Sequence, residues 1–235
     1  MSISDHSAAN QPTPAQGETD SPFRFYKLWL MGNMDGTDGM RRPVLHSFIE
    51  GVGRMDGGPI AGQWPENARI ALDSKESRRL QGATHAYGPV LMGELIGTTC
   101  NSLIAGPKLK ELIEPFCPGV PIEFLPLSIY KNGKAKRPLG GTYYYVHPVG
   151  FHDCINLEKS SVLWDDDHKE PLRVREIVID ARRGATAPQL FRPLHDWSSY
   201  IIRYDLARAI RDADLENVLW ERLAVCDESG NIVDR

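Results

Sequence analysis

The chain has no long apolar run. Nothing in it approaches the roughly 18 consecutive apolar residues that cross a bilayer as a helix, so no membrane-spanning helix is expected. Its start, Met1-Ser2-Ile3-Ser4-Asp5-His6, has neither the basic cluster nor the apolar segment of a secretory leader. A cytoplasmic protein is the expectation. An excess of charge is missing too: the net charge is only −4 over 235 residues. That argues against a general nucleic-acid binder and against a membrane-surface binder. Cysteine is scarce. Cys100, Cys117, Cys154 and Cys226 are widely spaced, with no Cys-x-x-Cys, which excludes the usual zinc patterns and suits reduced, buried thiols. There is no P-loop, no Gly-x-Ser-x-Gly and no His-Glu-x-x-His. No cofactor and no metal are therefore expected.

What is present is a faint internal copy. Ser102, Ile104, Leu109 and Ile113 find counterparts in Ser199, Ile201, Leu206 and Ile210 at one constant offset. With one residue dropped, Phe124 falls on Trp220 and Leu127 on Leu223. Upstream, Ile70-Ala71-Leu72-Asp73 echoes Ile177-Val178-Ile179-Asp180. Two related halves, about 67–130 and 174–226, are expected to superpose.

The composition, 41% hydrophobic and 25% charged, is that of a globular chain long enough to bury a core. Residues 1–21 are rich in Ser, Ala, Pro, Gln and Thr, hold little to bury, and read as a disordered tail. Residues 22–235 read as one domain. Strands are expected at 23–30, 69–73, 101–105, 122–130, 142–147, 172–180, 199–202 and 217–225. Asn132-Gly133 is a hairpin turn signal, and 227–235 reads as a polar tail. Pro107 suits the first turn of a helix. Leu109, Leu112, Ile113 and Phe116 then form one apolar stripe, repeated by Leu206, Ala209, Ile210 and Ala213. Residues 90–96 fit a short helix or a strand equally. Strands outnumber helices, so the fold class is α+β: mixed or antiparallel sheets covered by short helices.

Few motifs carry chemistry. Residues 33–39 resemble half a calcium loop, but Asp38 stands where an EF-hand requires glycine, so a loop with Asx turns is the better reading. Residues 51–56 start like a dinucleotide fingerprint and lack its third glycine. His147, His152, Asp153 and Cys154 lie close together, and with His168 or His195 could form a metal or nucleophile site. The plainer reading is a strand-end cluster around a buried thiol, because an isolated His-x-Cys is no zinc spacing. Lys131, Lys134, Lys136 and Arg137 make a basic loop, best read as a solvated tip. Trp164-Asp165-Asp166-Asp167 is its acidic counterpart. It reads as a surface turn or, because Trp is favoured at interface centres, as a contact for a basic protein partner.

Three stretches taken together carry a resemblance: Phe25-Tyr26-Lys27-Leu28-Trp29, residues 153–160 (Asp-Cys-Ile-Asn-Leu-Glu-Lys-Ser), and Leu190-Phe191-Arg192 leading into Tyr200-Ile201-Ile202. Between them lie Leu103-Ile104, the 109–116 helix and residues 122–127. This resembles the bacterial immunity-protein family numbered eleven in polymorphic toxin systems, formerly a domain of unknown function, over about residues 23–226. The chain departs from the family pattern at Asn156, where an acidic residue is usual, and in the glycine-rich segment 31–65. The resemblance implies a non-catalytic cytoplasmic protein that binds and neutralises a cognate toxin encoded by an adjacent gene. It supplies no catalytic residues. Asp153, Glu158 and Ser160 suit a structural turn better than a toxin contact. The competing function is a small cytoplasmic enzyme with its site around His147, His152 and Cys154.

Overall fold

The computed structural model describes residues 23–29, 44–45, 57–73, 92–98, 102–132, 134–167, 169–215 and 218–234. The expected tail 1–21, the calcium-like loop 33–39, the stretch 51–56, Cys100 and His168 lie outside the described residues. The strands are, in chain order, β1 (Phe25–Leu28), β2 (Val44–Leu45), β3 (Arg69–Asp73), β4 (Leu95–Thr98), β5 (Leu103–Ala105), β6 (Ile122–Asn132), β7 (Tyr143–Pro148), β8 (Ser161–Trp164), β9 (Pro171–Glu176), β10 (Val178–Asp180), β11 (Leu190–Phe191), β12 (Ile201–Arg203), β13 (Trp220–Arg222), β14 (Ala224–Cys226) and β15 (Ile232–Asp234). The helices are α1 (Pro107–Ile113), α2 (Ala181–Gly184) and α3 (Tyr204–Asp212). The fold is α+β, mostly sheet with a few short helices. No helix among the described residues is long and apolar enough to cross a membrane.

The strands form a six-stranded sheet ordered β2-β4-β5-β7-β6-β3, a four-stranded sheet β11-β12-β1-β13, a three-stranded sheet β10-β14-β15 and the hairpin β8-β9. Both larger sheets bury both faces. Leu103 and Ile202 pack in a central cluster with Leu109, Ile113, Leu206 and Ile210 of α1 and α3. Ile104 faces a second cluster with Ile70, Leu127, Ile129 and Tyr145. Ile201 faces a third with Phe25, Cys154, Ile179 and Val225. Residues 103–105 and 200–202 lack polar alternation because neither face of their strands meets water.

Strand order gives the expected duplication partial support. β7 lies antiparallel between β5 and β6, and β1 lies antiparallel between β12 and β13. A helix joins the outer strands in each case. β3 then pairs parallel with β6, and β10 parallel with β14. The two differ in chain order, because β7 follows its unit while β1 precedes its own. Common origin of the halves is a proposal, which superposition of the two strand–helix–strand units tests.

Several local expectations are corrected. Asn132 does not turn the chain; it is still paired with Asp73, and the strand partner resumes only at Tyr143. The second helix buries Leu206, Ala207 and Ile210, leaving Ala213 exposed, because the helix ends at Asp212. In the first stripe Leu109 and Ile113 are buried, whereas Leu112 is half-buried. Residues 227–235 are not merely a polar tail, since β15 pairs with β14. The undecided stretch 90–96 leads into β4. The start of α1 holds a group invisible to local reading: the Glu94 carboxylate accepts the Leu109 amide at 3.1 Å, placing a negative charge at the helix N-terminus.

Candidate functional site

The histidines and Cys154 occupy structural positions. His147 is fully buried, with Nε2 2.8 Å from the Gly58 carbonyl and its ring stacked on Tyr145. His152 places Nε2 3.0 Å from the Arg183 carbonyl and its ring edge-on to Phe191. A carbonyl only accepts, so Nε2 carries the proton in both rings, as inferred from these bonds. Cys154 is buried among Phe25, Ile155 and Ile179. Burial, reinforced by the Asp153 charge, pushes its thiol up to about 12, far from a reactive thiolate. Cys117 is likewise pushed up to about 11 by burial. Among the described residues no group of three or more His, Cys, Asp or Glu side chains gathers as metal ligands do.

Residues 153–160 form a joint between sheets. Arg183 donates from Nη1 to Asp153 and from Nη2 to the Ile155 carbonyl, both at 2.8 Å. Asn156 Oδ1 accepts the amides of Glu158 and Lys159, an Asx turn, while its Nδ2 reaches Cys226 Sγ at 3.2 Å. Ser160 Oγ donates to the Asn156 carbonyl and accepts the Val178 amide. These bonds dock the turn onto β10 and β14. The Glu158 side chain is exposed beside it.

The acidic turn 164–167 tops the hairpin β8-β9. Val162 pairs with Val174 and faces the third cluster, while Leu163 and Leu172 point outward, 47% and 66% exposed. Asp165 Oδ1 accepts the amides of Lys169 and Glu170 at 2.7 and 3.3 Å, so its carboxylate closes the turn. Asp167 pairs with Lys169 Nζ at 3.0 Å, both side chains well exposed. Asp166 is exposed and Trp164 half-buried. The basic side chains Lys131, Lys134, Lys136 and Arg137 are all exposed in the segment joining β6 to β7.

Sequence reading missed the loop 192–199. Asp196 frames it, accepting the hydroxyls of Ser198 and Ser199 and lying 4.0 Å from Lys27 Nζ. The Leu194 amide donates to the His152 carbonyl, and the Arg192 carbonyl accepts the His152 amide. His195 is held at φ 60°, a left-handed conformation that costs a non-glycine residue and persists only where surrounding bonds impose it. The loop is thus fixed on both sides, yet it turns Leu194 and Trp197 toward solvent. The available signal was Arg192 itself, a lone cation inside the apolar run Leu190-Phe191-Arg192-Pro193-Leu194.

No protein-family model matches the chain, and no curated protein matches it.

Proposed function

We propose that the chain is an immunity protein: it binds a cognate bacterial toxin and neutralises it by occlusion, without catalysis of its own, in the cytoplasm. The family resemblance motivates the reading. The observation that carries it is the presentation of large apolar side chains on framed supports: Leu163 and Leu172 on the hairpin, Leu194 and Trp197 on the 192–199 loop. Apolar side chains held outward by a fixed backbone are the usual anchors of protein interfaces, because little conformational entropy is lost when a partner covers them. Stable complexes of this kind cover about 1,200–2,000 Å² in total. The toxin is proposed to be encoded by an adjacent gene.

The test is co-expression of the full chain with the product of the neighbouring toxin gene. A complex that survives size-exclusion chromatography, together with survival of the producing cells, is expected. A toxin that neither associates with the chain nor loses its lethality in its presence would overturn the proposal.

A further inference from the structure

Arg192 is 97% buried, being only 3% exposed, and it has no carboxylate partner among the described residues. Its Nε donates to the Trp197 carbonyl at 2.9 Å. Its guanidinium lies 4.8 Å from the centre of the Phe151 ring. Nη1 is buried and meets no acceptor. The nearest polar company is the pair of buried phenols Tyr145 and Tyr200, hydrogen-bonded to each other. A phenol is a weak counterpart for a cation. Removing a guanidinium from water costs several kcal/mol unless an anion and hydrogen bonds offset it. Most buried polar groups in folded proteins are satisfied, so an open donor of this kind calls for a reason.

The surroundings supply one. Phe151, Leu194 and Trp197, at 36%, 41% and 59% exposure, stand around the guanidinium on the solvent side. The backbone bonds of His152 tie the Phe151 and Leu194 segments together. A charged donor with an apolar rim is complementary to an anion that is itself flanked by apolar groups. Nucleic-acid phosphates are poorly matched: they want several exposed cations, and the chain is net negative. A protein side-chain carboxylate between apolar residues matches both parts.

We infer that Arg192 is the anion-receiving centre of a protein-docking face. A partner places the carboxylate of an Asp or Glu side chain on Nη1, while the residues flanking it cover Phe151, Leu194 and Trp197. This rests on the protein-binding reading above and adds the face and the chemistry of the partner's anchor. A carboxylate is the ligand to which a guanidinium bonds best, and exclusion of water by the rim strengthens the bond.

The probe is an acetylated, amidated Leu-Glu-Leu peptide, with Leu-Gln-Leu as its uncharged counterpart. Each is titrated into the full-length chain while the Arg192 Nε–H and Trp197 indole N–H resonances are followed. The Glu peptide is expected to shift both and to bind about tenfold more tightly than the Gln peptide. In Trp197→Ala, an exposed site whose loss leaves the fold intact, the Arg192 response should weaken. Equal responses to the two peptides, or none at millimolar concentration, would overturn the inference. So would self-association of the chain that Asp166→Lys abolishes, since the occupant would then be a second copy. A neighbouring toxin bound equally well by Trp197→Ala and by the unaltered chain would remove this face and leave the immunity reading standing. Discrimination between the peptides by a chain that binds no toxin would do the reverse.

Discussion

The hairpin turn 164–167 and the loop 192–199 both carry a tryptophan beside charged residues, but their charges are spent differently. In the hairpin the carboxylates serve the turn: Asp165 closes it and Asp167 pairs with Lys169, leaving Asp166 in water. In the loop the anion Asp196 is satisfied internally, while the cation Arg192 is buried with Nη1 open beneath exposed aromatic rings. A cluster of like charges on a surface is therefore weak evidence of a contact. A desolvated charge that the fold leaves unmatched is stronger evidence, because its cost must be offset somewhere.

Both regions rest on the same core, and the largest expected effect is the loss of that core in alkali. Cys154 is raised to about 12 and Cys117 to about 11 by burial, and burial also raises Tyr145 and Tyr200. Each group is neutral when protonated and binds its proton more tightly when folded. Their contribution is fully present below the unfolded value, 9.0 for the thiols, and is lost as pH rises toward 12. Thermal melts between pH 8 and pH 11 should show a steadily falling midpoint. A flat profile would mean that these groups are not buried.

The comparison itself is sharpest at the loop. Arg192→Met should weaken the toxin complex by 2 kcal/mol or more, about thirtyfold, while stability stays level or rises, because an unmatched cation is replaced by an apolar chain of similar length. A stability loss as large as the binding loss would show that Arg192 is structural. Asp196→Ala comes next, with stability falling by about 2 kcal/mol in chemical denaturation as two hydroxyls lose their acceptor. Asp165→Ala should cost less, about 1 kcal/mol, by opening one turn. Asp166→Lys is the smallest. Its stability should not change, and toxin association should slow only if the hairpin steers a basic partner. A loss of affinity on Asp166→Lys exceeding that of Arg192→Met would reverse the ranking of the two faces.

The layered α+β plan was legible because strand and helix periodicity is local. Pro107 opening a helix, the Leu109 and Ile113 stripe and the apolar run 199–202 all act within a few residues. The errors arose where distant pairing decides. β6 runs on through Asn132 because β3 supplies it with a partner from sixty residues upstream. The chain end becomes a strand because β14 offers it an edge. The sites divided in the same way. Asp165 in its turn could be foreseen from a short acidic run. The fates of His147, His152 and Arg192 could not, because their partners Gly58, Arg183 and Phe151 are remote in sequence. Arg192 gave only the faint sign of a cation among apolar neighbours.

The most direct measurement is amide hydrogen exchange on the full chain, alone and with the neighbouring toxin. Slowed exchange at residues 193–198 and 150–152, with residues 165–169 little changed, is the expected result. Protection confined to the hairpin turn, or exchange unaltered at every amide, would contradict it.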